Sequence, residues 1–369
     1  MATGPIWTSL GEFVTEGTML AVELCFPGQS TPPPAGETAI ACMALDPAGT
    51  VYCGTAGAKA HLLGALLRGD TGVVFDLGVA PGADRLDAIA THDEHVYAVA
   101  SGPDGSTLWR WPRFARSFLI QEWTLPRHPA EKVRELFVGD RVAGATVAAD
   151  GQTLYGLTAT SGELFRLDLA QPDPVVLAAV DDEGRFSRRL AVDGRGGVWG
   201  TRGRGVLWRC DGHSGHLEDV AEVPAAAGRA QHTQASAWAL DPLTGCLYGG
   251  TEPDGFLFRV DVDGGQVTPL GKPTRLERIG ALAIGNDGRV FGTCGLEEDI
   301  GHLFSHDPAR GALRDLGVPV STLAARQYGY HFACMLTGSC GEIYLGQHER
   351  VSHLWIYFPP VPSRARVGE

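Results

Sequence analysis

Short apolar runs of alternating pattern recur along the chain and predict β-strands. Hydrophobic and polar positions alternate with a period of two, and Gly, Asp and Pro bound each run, as in MALDPAGTVYCGT, which ends at Thr55. Such alternation is typical of strands with one buried face. No long stretch has the 3.6-residue period of an amphipathic helix. The pattern therefore predicts an all-β protein.

One frame occurs seven times, which predicts a repeat architecture. The copies are MALDPAGTVYCGT, AIATHDEHVYAVAS, VAADGQTLYGLT, AVDGRGGVWGT, ALDPLTGCLYGGT, AIGNDGRVFGT and CMLTGSCGEIYLGQ. Most are followed by a strand such as FLFRVD, and often by another that ends in Leu-Gly, such as VTPLG. Four strands per unit, at intervals of roughly 35 to 55 residues, are typical of a β-propeller blade.

We therefore predict one domain over residues 1–369, a seven-bladed β-propeller with four-stranded antiparallel blades. The blades are predicted at residues 36–78, 84–126, 141–180, 184–223, 232–271, 276–317 and 327–358. The last unit ends at WIYFPP, with no edge strand after it. A strand within residues 5–27 is expected to supply that edge and close the ring between the last and first blades.

The repeated G-x-(V/L)-Y-G-T and G-x-L-F-R-x-D motifs resemble those of the seven-bladed propeller superfamily. That group includes kelch-like proteins, virginiamycin B lyase and the propeller-type polysaccharide lyases. The resemblance covers nearly the whole chain and rests on structural motifs. The D-G-x-(I/L)-W-F-T pattern of the virginiamycin lyase blades is met only loosely. The resemblance implies a propeller fold and, by analogy with the lyases, an enzyme at one end of the central channel.

The composition of the chain argues against some classes of binding partner. The 43 acidic and 30 basic residues give a formal charge of -13, which argues against nucleic acid as a partner. The chain has no 18-residue apolar run and no secretory signal, so a cytoplasmic protein without a membrane partner is expected. Eight cysteines without CxxC spacing fit reduced thiols. The excess of Arg and Ala suggests GC-rich, bacterial coding.

The last repeat differs from the others at the predicted channel mouth. Its segments QYGYHF and GQHER carry His, Tyr, Glu and Arg, where the sibling copies carry mostly small residues. In each copy we count back four positions from the alanine of the inner strand, and in the last copy from Met335, which takes its place. This position is small or apolar in six copies and is His331 in the seventh. The candidate catalytic residues are His331, Tyr330, His348 and Tyr328. Propeller loops are polar in any case, so some His and Arg are expected there without a role.

Loops at the same end supply candidate binding residues. These are Arg188, Arg278, Arg350, Arg202, His232, Glu252 and Gln347. His232, His331 and His348 could together bind a divalent metal, for which Mn or Zn would suit imidazole ligands. No HExxH, CxxC or HxH motif supports a metal, so no cofactor is certain. His353 is matched by His61 and His302 at one blade position, which favours a structural role for all three.

We expect a lyase that performs β-elimination on a small anionic, uronate-containing oligosaccharide. Arg188, Arg278 and Arg350 would neutralise the carboxylate, His331 would act as base, and Tyr330 or Tyr328 as acid. A first alternative is an isomerase or cyclase for a specialised metabolite, with Phe186, Trp238 or Phe332 against an apolar ligand. A second is a non-catalytic sugar- or protein-binding propeller.

Overall fold

The computed structural model describes residues 13–14, 16–24, 33–68, 71–114, 129–180, 185–228, 233–296, 299–321 and 327–360. In these ranges the regular elements are all β-strands. None of the described residues forms a helix long and apolar enough to cross a membrane. The chain is therefore all-β, as the alternating pattern predicts.

Consecutive strands form antiparallel meanders. The first unit and the strand before it comprise β1 (Thr18–Glu23), β2 (Ala39–Leu45), β3 (Val51–Ala56), β4 (His61–Arg68) and β5 (Thr71–Val79). The second and third comprise β6 (Arg85–His92), β7 (His95–Gly102), β8 (Gly105–Pro112), β9 (Glu131–Val138), β10 (Val142–Val147), β11 (Thr153–Thr158), β12 (Glu163–Asp168) and β13 (Gln171–Ala179). Strand β9 lies later in the chain than the predicted end of its blade at residue 126.

The second half of the chain repeats the arrangement. Two units comprise β14 (Ala191–Val192), β15 (Gly197–Arg202), β16 (Val206–Asp211), β17 (Leu217–Glu222), β18 (Gln234–Leu240), β19 (Leu247–Glu252), β20 (Leu257–Val260) and β21 (Val267–Gly271). The remaining strands are β22 (Ile279–Ile284), β23 (Val290–Cys294), β24 (His302–Asp307), β25 (Ala312–Gly317), β26 (Val320–Ser321), β27 (Gln327–Tyr328), β28 (Phe332–Thr337), β29 (Ile343–Gln347) and β30 (His353–Phe358).

The sheets depart from the predicted seven separate blades. Among the described residues, five sheets have four strands each: β10–β13, β14–β17, β18–β21, β22–β25, and β28–β30 with β1. Strands β2–β9 form one eight-stranded sheet. Its halves, β2–β5 and β6–β9, are joined where Ala56 of β3 pairs with Arg85 of β6. Extension of β3 and β6 to this contact converts two predicted blades into one continuous sheet.

The inner strands surround a central channel. Contacts run from β2 to β6, β10, β14, β18, β22 and β28, and return from β28 to β2. The ring is closed by the N-terminal strand, because β1 pairs antiparallel with β30 from Thr18–Phe358 to Glu23–His353. The sequence placed this closing strand within residues 5–27. A propeller closed by its N-terminal strand is therefore confirmed.

The repeated motif builds the core between sheets. In β19, Gly249 lies beneath the ring of Phe258, and an added Cβ would come within 2.2 Å of that ring. The same contact joins Gly200 to Trp208, at 2.4 Å. Glycine is thus needed where the aromatic side chain of the next strand crosses. Burial of each such aromatic side chain stabilises the fold by about 1.5–3 kcal/mol.

A β-bulge near the start of the inner strands shapes the channel mouth. The pairing register shifts by one residue between Leu86 and Ala88 in β6, and between Ala235 and Ala237 in β18. The bulged residues, Asp87 and Ser236, both line the channel. Bulges redirect side chains in this way at the ends of strands. Polar groups consequently face the channel from strands that are otherwise apolar.

Candidate functional site

The channel contains a cavity of about 800 Å³. Among the described residues, its charged lining consists of Arg85, Asp87, Arg188, Arg189, Glu252 and Arg278. Four arginines face two carboxylates, so this lining carries an excess of positive charge in a protein whose formal charge is -13. Such a cavity favours an anionic ligand of small-molecule size.

Strand pairing corrects the alignment on which the His331 prediction depended. Leu336 pairs with Tyr344 as Ala44 pairs with Tyr52, so Leu336, and not Met335, takes the place of the inner-strand alanine. The comparison was shifted by one residue, which interchanges the two faces of a strand. The contrast of six small or apolar residues with a single histidine was therefore wrong.

With the register corrected, His331 shares its position with polar residues of other units. His331 comes directly before Phe332, the first residue of β28 that pairs with β29, opposite Gln347. In the same way, Arg278 comes directly before Ile279, the first residue of β22 that pairs with β23, opposite Cys294. Arg85 and Gln234 occupy the same position in β6 and β18. All four line the cavity. In these four units, one repeated position therefore places Arg, Gln or His at the channel mouth.

His331 is a buried, neutral imidazole beside an arginine. Its side chain lies with Nε2 3.3 Å from Nη1 of Arg278, which can only donate. Its backbone N–H donates to Oε1 of Glu349 at 3.2 Å. Burial, Arg278 and His348 lower the pKa of His331 to about 3. Nε2 therefore accepts from Arg278, and the ring proton lies on Nδ1, which has no hydrogen-bond partner among the described residues.

His348 contacts His331 and has a defined tautomer. The two ring centroids lie 5.6 Å apart at an interplanar angle of 85°, and the His348 backbone N–H donates to the carbonyl of His331 at 2.8 Å. Nδ1 of His348 lies 3.1 Å from the carbonyl oxygen of Ile40. A carbonyl only accepts, so Nδ1 carries a proton, and in the neutral form of the ring the lone pair is then on Nε2. His348 can therefore act as a base through Nε2.

Arg278 links the imidazoles to a carboxylate. Its Nε lies 3.1 Å from Oε2 of Glu252, whose side chain is 44% exposed. Glu252, Arg278, His331 and His348 thus form a chain of contacts that runs from β19 to the loop after β29. Because Glu252 is partly solvated, it leaves Arg278 able to contact a bound anion.

Asp87 forms the opposite wall with Arg85. The Nε of Arg85 lies 3.2 Å from Oδ1 of Asp87, and Ser101 donates to Oδ2 at 2.6 Å. Burial raises the pKa of Asp87 to about 6, although Arg85 and Ser101 favour its charged form. Arg189 also lines the cavity. Arg189 is a candidate site residue absent from the sequence-based set, and Arg-Arg at 188–189, where the sibling strands carry mostly small residues, was the available signal.

The two candidate tyrosines lie outside the cavity lining. Tyr328 is in the short β26–β27 hairpin, with its ring centroid 6.2 Å from that of Phe13. Tyr330 is 39% exposed and follows the hairpin. Strand β28 begins only at Phe332, so both tyrosines precede the channel-lining segment. The structure therefore brings together His331 and His348, but neither tyrosine with them.

Some of the predicted binding residues also line the cavity, and others do not. Arg188, Arg278 and Glu252 line the cavity. Arg202 instead donates to Asp219 and to the carbonyl of Val180. His232 lies outside the described residues.

Gln347 and Arg350 have structural contacts. The buried side-chain oxygen of Gln347 accepts from Trp355 Nε1 at 3.0 Å and from the backbone N–H of His353 at 3.1 Å. Arg350 is exposed, and its carbonyl accepts from Thr38 Oγ1 at 3.0 Å. Neither residue lines the cavity.

Two of the three histidines considered as metal ligands, His331 and His348, lie together in the structure. The described residues contain no group of three or more His, Cys, Asp or Glu side chains that could hold a metal ion. His331 and His348 are adjacent, but the third candidate ligand, His232, is outside the described ranges.

The chain is similar to several solved propeller structures. A streptogramin B lyase is 12% identical with a TM-score of 0.65, and the match covers 95% of this chain and all of that one. An inactive variant of virginiamycin B lyase from Staphylococcus aureus, with quinupristin, is 11% identical with a TM-score of 0.66, over 93% of this chain and all of the other. A putative 6-phosphogluconolactonase from Bacteroides uniformis is 15% identical with a TM-score of 0.56, over 85% and 99%.

These similarities show the fold. They confirm the predicted resemblance to virginiamycin B lyase-like propellers at the level of architecture. No protein-family model matches the chain. No curated protein sequence matches it either. A chain of a mitotic checkpoint complex has a comparable TM-score of 0.63, so the fold alone leaves the activity open.

Proposed function

We propose that the protein is a carbon–oxygen lyase that acts on a small carboxylate-bearing substrate at the channel mouth. One observation carries this proposal: an imidazole with a lone pair on Nε2, His348, lies beside a neutral imidazole and an arginine in a cavity of positive charge. A base and a carboxylate-binding group in one cavity are the requirements of β-elimination.

The arginines prepare the substrate for proton loss. A guanidinium such as Arg278 binds the substrate carboxylate and stabilises the negative charge that develops there when the adjacent carbon is deprotonated. His331 accepts from Arg278 through Nε2, and this contact orients the guanidinium. Because His331 stays neutral, it adds no competing positive charge.

His348 moves the proton. Its Nε2 takes the proton from the carbon next to the carboxylate, and the C–H electron pair forms a carbon–carbon double bond. The bond from the neighbouring carbon to the leaving oxygen breaks, and that oxygen receives the proton from the His348 imidazolium. One histidine therefore serves as base and then as acid, which removes the need for Tyr328 or Tyr330 in the cavity.

We also propose that the eight-stranded sheet counts as two blades, because a single pair, Ala56–Arg85, joins its halves.

The comparisons add support to the lyase proposal, since lyases are among the solved structures with the same fold. Within the lyase class, a uronate is the preferred substrate because it places a carboxylate next to an acidic C–H and a β-oxygen leaving group.

The test is an elimination assay on short uronate oligosaccharides, followed by ultraviolet absorbance of the unsaturated product. Wild-type protein should produce it, and His348→Ala should slow the reaction by about a hundredfold or more, since general-base catalysis contributes 10²–10⁴-fold. His353→Ala is the matched control, because His353 lies outside the channel lining. Absence of product from every uronate, or equal rates in both variants, would overturn the proposal.

A second candidate is an isomerase or cyclase for an apolar metabolite. Phe186 and Trp238 line the cavity, as do Met43 and Met335. Phe332, also considered for this wall, is instead buried with its ring 6.0 Å from that of Trp355. This candidate would depend on Trp238 more than on Arg278, so Trp238→Leu and Arg278→Met separate the two.

A further inference from the structure

Arg189 lies at a channel position that is small in most other units. It is two residues before Ala191, which pairs with Trp199 as Ala239 pairs with Tyr248. Its counterparts in the other inner strands are Cys42, Ala88, Gly144, Ala237, Ala281 and Cys334. A long cationic side chain therefore enters the channel where the other units leave space.

The Arg189 backbone is fixed, but its guanidinium is not paired. The backbone N–H donates to Ser187 Oγ at 3.0 Å, and the carbonyl accepts from Trp238 Nε1 at 3.3 Å. Among the described residues, the guanidinium makes no hydrogen bond or ion pair. The neighbouring cavity arginines differ, since Arg85 pairs with Asp87 and Arg278 pairs with Glu252.

The electrostatic neighbours of Arg189 come from across the channel. Burial is the main cause that lowers the pKa of its guanidinium; the charges of Arg85 and Arg278 lower it further, whereas Cys334 and Glu252 raise it. Arg85 starts β6, and Arg278 precedes β22, whereas Arg189 precedes β14. A side chain with neighbours on both of these strands extends toward the channel axis. A poorly solvated, unpaired cation destabilises the free protein, and a bound anion would relieve that cost.

We infer that Arg189, with Arg85 and Arg278, forms an anion-binding subsite inside the channel that holds the carboxylate of a sugar acid. The identification of the anion as the carboxylate of the substrate rests on the proposed function. Arg189, whose guanidinium makes no ion pair with the described residues, presents a planar fork suited to a carboxylate. Arg85 and Arg278 are already paired and add favourable charge from either side.

Calorimetric titration with galacturonate tests the subsite. Galacturonate should bind wild-type protein at least tenfold more tightly than galactose, its neutral counterpart. Arg189→Met should weaken galacturonate binding about tenfold to a hundredfold, because charge-assisted hydrogen bonds are lost. Arg195→Met is the control: Arg195 is an exposed arginine of the same sheet, outside the cavity lining. Equal affinity of wild type and Arg189→Met for galacturonate would overturn the inference.

A second readout separates ligand binding from a structural role. Arg189→Met should raise the melting temperature of the ligand-free protein, because it removes a half-buried cation that makes no ion pair with the described residues. A lower melting temperature together with unchanged affinity would mean that Arg189 supports the fold. Tighter binding of galactose 1-phosphate than of galacturonate would overturn the assignment to a carboxylate.

Failure of the subsite and failure of the lyase proposal are distinguishable. Arg189-dependent binding of galacturonate without product from any uronate would retain the subsite and remove the lyase. Product formation by Arg189→Met with unchanged KM would retain the lyase and remove the subsite.

Discussion

Two buried histidines of this protein have opposite surroundings. His61, at the start of β4, has Nε2 2.9 Å from Glu37 and Nδ1 3.2 Å from Asp76. His331, at the channel mouth, contacts Arg278 instead. Burial favours the neutral form of both, but the hydrogen bonds to Asp76 and Glu37 raise the pKa of His61 above its usual value, whereas Arg278 helps to lower that of His331 to about 3. The neighbouring charge therefore decides in which direction the pKa of each buried histidine moves.

The charges around the histidines differ between the repeated strands of the blades and the candidate site. His302 starts the same strand of another unit, with Nδ1 3.0 Å from Asp315, and His353 pairs with Glu23 across the closing strands. Each of these histidines therefore stands opposite an acidic residue on the outer strand of its sheet; His61 and His302 form ion pairs with it, whereas burial lowers the pKa of His353. In the channel, arginines exceed carboxylates. The histidines of the repeated strands thus face acidic residues, whereas the candidate site has an excess of arginines.

The largest expected effect is from His61→Ala. The substitution would leave Glu37 and Asp76 close together and buried without their cation, so unfolding free energy should fall by about 3–5 kcal/mol. Urea denaturation measures this. His302→Ala, which removes a more exposed pair, should cost about 1 kcal/mol or less. A loss of less than 1 kcal/mol in His61→Ala would contradict the structural role.

His61 also predicts a pH dependence. Since its folded-state pKa is raised, its stabilisation is fully present below pH about 6.5 and is lost as pH rises through the folded-state pKa. The penalty of His61→Ala should therefore shrink at alkaline pH. A penalty that grows above pH 8 would contradict this sign.

Asp87→Asn tests whether burial outweighs an arginine neighbour. The pKa of Asp87 is raised from 3.8 to about 6, so its contribution to stability is present below pH 3.8 and lost as pH rises through about 6. As pH rises from 4 to 8, the free energy of unfolding of the variant should therefore increase by about 2 kcal/mol relative to that of the wild type. Unfolding curves at the two pH values measure the change. If the wild type instead gains stability relative to the variant over this pH range, the charge of Arg85 outweighs burial in setting the pKa of Asp87.

His331→Phe tests the opposite sign in the channel. Because the folded-state pKa of His331 is lowered, its stabilisation is present above pH 6.5 and is lost as pH falls toward about 3. Wild-type protein should therefore lose about 2 kcal/mol more than the variant between pH 6.5 and pH 5. Parallel pH profiles for the two proteins would contradict the lowered pKa.

Tyr330→Phe should have the smallest effect. Tyr330 is exposed and outside the cavity lining, so we expect less than a twofold change in elimination rate and about 0.5 kcal/mol or less in stability. Steady-state kinetics on the substrate found in the elimination assay measure the first. A hundredfold loss would return Tyr330 to the site as the acid.

The repeat made the fold predictable, because Gly249 beneath Phe258 and similar pairs leave a regular mark in the sequence. The site was predictable in part: His331, His348 and Arg278 line the cavity together. The register of the last unit was misplaced because Met335 was taken for the inner-strand alanine, whereas Leu336 holds that place opposite Tyr344. Sequence spacing also gave no sign that Tyr328 lies in a separate hairpin.

The most direct test of the contrast is a long-range ¹H–¹⁵N correlation spectrum of the histidine rings near pH 6, recorded with and without galacturonate. Single His→Ala variants would assign the signals. We predict a protonated His61, a neutral His331, and ligand-induced shifts at His331 and His348 that are absent at His61, His302 and His353. A protonated His331, or galacturonate shifts confined to the blade histidines, would contradict the account.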